Sequence, residues 1–154
     1  MKKIILILAV LSMSMFASQI KLLDQNASDI VYKLPLKKYP QLLCEATLEN
    51  GDTLQFVSVK AMMQVFLHQD YFKKHHLLKS SIKEMFVQDY LTKEKINIKN
   101  AVFVFGSKII GAHGDDLIPL KNQANAKLFE MKYGGTKILP YQKITVGLIR
   151  YLDM

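Results

Sequence analysis

The segment LLCEATLENGDTLQFVSV, residues 42–59, constrains the fold more than any other stretch of the chain. Leu42, Cys44, Ala46 and Leu48 alternate with Leu43, Glu45, Thr47 and Glu49, the period-two pattern of a strand with two unlike faces. Asn50-Gly51 follows, a pair suited to the positive φ angles of a two-residue hairpin turn, and Thr53–Val57 supplies the returning strand. The turn sets the register, and the register decides which side chains enter a core.

The remaining elements follow from spacing and punctuation. Ser58 is suited to cap a helix over residues 59–68, in which Met62, Val65 and Phe66 share a face. The alternating, aromatic and β-branched run 82–90 predicts a strand, and Ala101–Phe105 a strand apolar enough to be buried on both faces. Residues 122–133 predict a helix with Ala124, Leu128 and Met131 along one face, stopped by Gly134-Gly135. Residues 136–140 predict a short strand, and the chain closes on a helix that tolerates Gly147. The class is α+β: two small related ββαβ-type units, about 41–90 and 91–154, ending in a C-terminal helix. Ahead of them, residues 19–40 carry Pro35 and Pro40 and little apolar periodicity, and read as an extended arm.

Residues 1–18, MKKIILILAVLSMSMFAS, have the three-part plan of a secretory signal: two lysines, an apolar run too short to span a bilayer, then small residues. Cleavage near Ala17 or Ser18 would lower the formal charge from +8 to +6 and leave no stable membrane anchor. With no cysteine near that site, the lipid anchor of a lipoprotein is excluded. The expected place is the periplasm. Cys44 is the only cysteine, so no internal disulfide can form and the exported domain must stand on its apolar core, a metal or a partner. The positive charge is spread over lysines with one arginine, Arg150, and lacks the clusters of a nucleic-acid reader; no nucleic-acid partner is expected.

Little in the chain suggests catalysis. Gly111–Asp116, GAHGDD, lacks the lysine and helix start of a phosphate loop. Cys44 falls mid-strand, a core position rather than a nucleophile's. His75 and His76 are adjacent and diverge, so they make a poor joint site and read as surface residues. Five methionines follow the leader, Met62, Met63, Met85, Met131 and Met154. Thioethers with imidazole are a chemically sensible set for copper(I), although methionines at helical spacing also serve as core filler.

The segments VQDYLT, AVFVFGSKIIGAHGDDLIPL and NAKLFEMKYGGTKILPYQKIT, with KYPQLLCEATLENGDTLQFVSVKAMMQVF before them, resemble the NosL family over about residues 38–146. The specific elements are Asp89-Tyr90, Gly106-Ser107, the Gly111-x-x-Gly114 loop with Asp116–Pro119 behind it, and Phe129 ahead of Tyr133-Gly134-Gly135. The resemblance implies an exported, non-enzymatic protein built from two ββαβ units, which binds copper(I) and delivers it to nitrous oxide reductase. The chain departs from the family pattern twice. Where members carry Cys-x-x-Cys-Gly-Met it reads Asp29–Leu34, DIVYKL, and where they commonly read Gly-Pro-Met-Gly it reads Gly-Ala-His-Gly. His113 therefore stands in place of a methionine ligand and keeps the position copper-capable.

The expectation drawn from the resemblance is a metallochaperone for nitrous oxide reductase or another exported copper enzyme. His113 and Met62 are its candidate ligands, with Met63 and Met131 in reserve and Asp115 or Asp116 steadying the imidazole. Two other readings stay open. One is a metal-free interaction protein that docks through Gly106–Leu120. The other is a hydrolase using His113 with Asp115 or Asp116, for which no nucleophile or oxyanion arrangement is visible.

Overall fold

The computed structural model describes residues 18–154, so the expected secretory signal lies, but for Ser18, outside the described residues. Among the described residues no helix is long and apolar enough to cross a membrane.

The hairpin forms where its alternation places it. Strand β1 (Cys44–Leu48) pairs antiparallel with β2 (Thr53–Phe56), with Cys44 opposite Phe56 and Thr47 opposite Thr53. Cys44, Ala46 and Leu48 point into the core. The turn is a three-residue loop rather than the expected two. Leu48 N–H donates to Asp52 O at 2.8 Å, Gly51 N–H donates to Leu48 O at 3.0 Å, and only Gly51 takes a positive φ, 89°. Asn50 contributes its side chain instead, accepting the Asp52 N–H at 3.1 Å. A type I turn closed by a left-handed glycine joins strands as readily as the shorter form.

Ser58 then starts helix α1 (Val59–Leu67), its hydroxyl accepting the Ala61 N–H. A short helix α2 (Gln69–Lys74) follows, and strand β3 (Ile82–Gln88) returns to pair with the other side of β1. Strand β4 (Lys95–Asn97) adds an outer edge, giving the order β2-β1-β3-β4. The second half repeats the scheme. Strand β5 (Val102–Phe105) pairs with β6 (Ile118–Leu120), helix α3 (Gln123–Tyr133) crosses over, and β7 (Lys137–Pro140) returns to the far side of β5. The order β6-β5-β7 reproduces β2-β1-β3, so each half is a ββαβ unit. Helix α4 (Val146–Leu152) closes the chain against α1.

Strand β6 has no counterpart in the sequence reading because Pro119 interrupts its apolar run. Its place explains how it forms. As an edge strand it spares Pro119 an N–H on its open side, while the Pro119 carbonyl still accepts from Tyr90 N–H at 3.0 Å.

Helix α3 also differs from expectation. Ala126 and Phe129 face the core, whereas Leu128 and Met131, expected on the apolar face with Ala124, lie exposed. Its buried stripe is narrow because β5 and β6 are short and leave little to cover. Residues 19–40 are not extended throughout. They hold a tight turn at Asp29–Leu34 and a 3-10 turn at Leu36–Lys38, and they bury Ile20 and Leu36 against the first unit.

Candidate metal centre

The loop between β5 and β6 is closed on itself by a bridge between Gly111 and Gly114, with Gly111 N–H donating to Gly114 O at 2.8 Å. Gly111 has no room for a side chain, since a Cβ there would lie 2.8 Å from Asp116 Cβ and 2.9 Å from Gly114 O. Gly114 turns the chain at φ 79°. Together they lift His113 to the surface, its side chain 54% exposed.

Asp116 lies under the loop and faces inward, so it does not touch the imidazole as expected. Its Oδ1 accepts the Lys60 N–H at 3.0 Å and the Leu117 N–H at 2.8 Å. Its Oδ2 has no hydrogen-bond partner. Burial pushes its pKa up to about 6, against the opposing pull of the Ser58 hydroxyl, the two N–H groups and the Lys60 charge. Asp115, the other aspartate considered for that role, is exposed.

The group that ties the site together is Lys60. Its side chain is fully buried at the start of α1, and its Nζ donates to His113 O at 2.5 Å and to Leu152 O at 2.9 Å. Asp153 Oδ1 stands 3.5 Å away and supplies the countercharge. A buried ammonium with two carbonyls and a carboxylate is compensated; one stripped of them would cost several kcal/mol. The contacts fasten the glycine loop to the end of α4.

Asp153 is held from two further directions. Tyr32 OH donates to Oδ1 at 2.7 Å and Gln64 Nε2 donates to Oδ2 at 3.1 Å. The Tyr32 ring stacks on the His113 imidazole, with centroids 4.1 Å apart and planes 11° from parallel. His113 Nδ1 lies 3.6 Å from Asp153 Oδ1, near enough for charge attraction though too long for a hydrogen bond. Burial, then the bond to Asp153, push the Tyr32 phenol pKa well upward, so the ring stays neutral and donates. Tyr32 reaches this place because Asp29 Oδ1 accepts the N–H groups of Val31 at 2.8 Å and Tyr32 at 2.7 Å. The segment Asp29–Leu34 therefore meets the glycine loop in space, carrying the Tyr32 ring and neither cysteine nor methionine.

His113 opens onto a cleft of about 450 Å³ that Gly114, Asp115, Tyr151, Leu152, Asp153 and Met154 also line. Met154 is 97% exposed. His113 shares this cleft with Met154 and with none of the expected methionines. Met62 and Met63 are 0% and 1% exposed in the core cluster, so neither reaches a surface ion without unpacking α1. Met131 stands 84% exposed on α3 and does not line the cleft. Cys44 is fully buried, and burial pushes its thiol pKa well up, which keeps it protonated and inert. His75 and His76 lie on the surface as expected.

Among the described residues no three His, Cys, Asp or Glu side chains converge as a metal site. What the cleft offers is an imidazole and a thioether beside a carboxylate, a small donor set that suits a soft monovalent ion such as copper(I) better than zinc or calcium. Tyr32, Lys60 and Asp153 escaped sequence reasoning as parts of the site, and Met154 was counted there only among the methionines. The one local signal was Lys60 itself, a lone charge within the apolar run Val59–Met63.

The NosL family profile matches residues 20–149. Among solved structures, the crystal structure of the copper chaperone NosL from Shewanella denitrificans is similar at 21% identity. It covers 84% of this chain and 97% of its own, with a TM-score of 0.68, and the two share a fold. The solution structure of apo-NosL from Achromobacter cycloclastes is 19% identical, over 69% of this chain and 87% of its own, with a TM-score of 0.45. No curated protein matches the chain.

Proposed function

The chain belongs to the NosL family, and from that premise we propose that it is an exported, periplasmic copper(I)-binding accessory protein. It would act as a metallochaperone in the maturation of nitrous oxide reductase or another exported copper enzyme. Two facts support copper: the relative from Shewanella denitrificans is described as a copper chaperone, and the exposed donors at the glycine loop pair a soft thioether with a copper-capable imidazole. The observation that carries the reading is the cleft shared by His113 and Met154, with the His113 ring braced on Tyr32.

The chemistry is ligand exchange. Two exposed donors, an imidazole and a thioether, hold a monovalent ion weakly and release it to a site with more ligands, with no bond made or broken in a substrate. Bracing by Tyr32 and Lys60 keeps the imidazole in place while the thioether of Met154 moves. In this reading Met62 serves the core, and its place in the proposed ligand set passes to Met154. The leader MKKIILILAVLSMSMFAS supports export, and N-terminal sequencing of the secreted chain tests it.

The binding test is anaerobic titration of copper(I) against a chromophoric chelator. The chain without its leader should take about one equivalent, and His113→Ala and Met154→Leu should each lower the affinity by about tenfold or more. A chain that cannot compete for copper overturns the reading. The segment Asp29–Leu34, with neither cysteine nor methionine, favours a second reading: a metal-free interaction protein docking through Gly106–Leu120. It predicts partner binding that copper does not alter.

A further inference from the structure

Asp153 and Met154 line two clefts. One is the His113 cleft. The other, of about 310 Å³, runs between α1 and α4 and is lined by Gln64, His68, Val146, Arg150, Asp153 and Met154, with Ile149 at its base. His68 carries its own preparation for metal binding. Its Nδ1 lies 2.9 Å from the Gln64 carbonyl, which only accepts, so Nδ1 is the protonated nitrogen and donates. The lone pair is left on Nε2 of an exposed ring. Donation of one ring nitrogen to a backbone carbonyl is the usual way in which a ligating histidine is oriented.

We propose that His68 Nε2 and the Met154 thioether form a second copper(I) position, and that Met154 carries the ion between it and His113. The proposal rests on the copper reading of the His113 cleft. Met154 is almost fully exposed just past α4, so its unbranched side chain can serve either imidazole in turn. Each position is then two-coordinate and weak, and passage from one to the other exchanges one imidazole for another with the thioether kept throughout. The ion stays copper(I), and no electron or proton is transferred.

The test is imidazole 15N NMR of the folded chain during anaerobic addition of copper(I), with His68 and His113 followed separately. In the wild type, Nε2 of His68 should show a coordination shift together with His113. The His68 shift should persist in His113→Ala, and Met154→Leu should weaken it by about tenfold or more in apparent affinity. A shift at His113 with His68 unmoved overturns the second position and leaves the chaperone reading standing. No shift at either histidine overturns both. A His68 shift unaffected by Met154→Leu overturns the shared thioether.

Discussion

Asp29 and Asp89 anchor the same turn, one ahead of each ββαβ unit of the fold. Each Oδ1 accepts two N–H groups, from Val31 and Tyr32 in the first and from Leu91 and Thr92 in the second. The backbone closes alike, Asp29 N–H to Leu34 O and Asp89 N–H to Glu94 O, with Lys33 and Lys93 at φ 58° and 62°. Each Oδ2 then reaches the residue just ahead of a helix cap, taking the N–H of Val57 at 3.3 Å or of Lys121 at 2.7 Å. Ahead of the first unit this turn delivers Tyr32 to His113. Ahead of the second it docks β3 onto the start of α3.

The two carboxyls titrate in opposite directions. At Asp29, burial outweighs the three N–H donors and the nearby Lys33 charge and raises the pKa. At Asp89, burial is outweighed by the Asn125 side chain and the N–H groups of Lys121, Thr92 and Leu91, and the pKa falls. A lowered native pKa gives stability that is present above the unfolded value, about 4, and lost as pH falls below it. A raised one gives stability that declines as pH rises past that value. Asp89→Asn should therefore cost about 2–3 kcal/mol at pH 7 and less below pH 4, with Asp29→Asn the milder of the two at neutral pH. Urea unfolding from pH 3 to pH 8 checks this, and equal pH slopes for the two variants would refute it.

Asp116 is the larger pH effect. With a native pKa of about 6 against about 4 unfolded, the folded state holds its proton more tightly across that window. Stability should fall as pH rises from about 4 to 6, by up to about 3 kcal/mol. Asp116→Asn keeps an oxygen for the Lys60 and Leu117 N–H groups and puts an uncharged donor in place of the unpartnered Oδ2. It should be more stable than the wild type at pH 7, with the gap closing below pH 4. A thermal-melt series across that range that shows parallel curves would count against it.

The alternation around the hairpin, the Ser58 cap of α1 and the glycine stop of α3 were legible in the residues because each is a local effect with a local cause. Strand β6 was not, since Pro119 reads as a breaker until the sheet edge that tolerates it is known. His113 was singled out by the resemblance of the Gly111–Gly114 loop to the family pattern. Its partners were not, because Tyr32, Lys60 and Asp153 come from three distant segments that only the packed fold brings together. Met62 misled for the same reason. Helical spacing places it on an apolar face, and whether that face meets solvent or core depends on the sheet it covers.

That distinction between core and ligand methionine can be measured. Met62→Ala should lower stability by about 2–5 kcal/mol through the cavity it leaves, while the surviving folded protein keeps its copper(I) stoichiometry. Met154→Leu should do the reverse, leaving the unfolding free energy within about 0.5 kcal/mol of wild type and weakening copper binding. Loss of copper in folded Met62→Ala with full binding in Met154→Leu would return Met62 to the ligand set.

Lys60 tests whether the site is braced from within. In Lys60→Met the side-chain volume is roughly kept, but the carbonyls of His113 and Leu152 lose their shared donor. Asp153 keeps Tyr32 and Gln64, so the lost countercharge matters less than the two orphaned acceptors. A cost of about 2–4 kcal/mol follows, read as a lower urea midpoint. The second readout is local. With the loop unfastened from α4, the His113 ring should leave its stack on Tyr32, and its upfield ring-current shift should shrink. If stability and the His113 ring signals both match wild type, the buried ammonium is not what holds the imidazole in place.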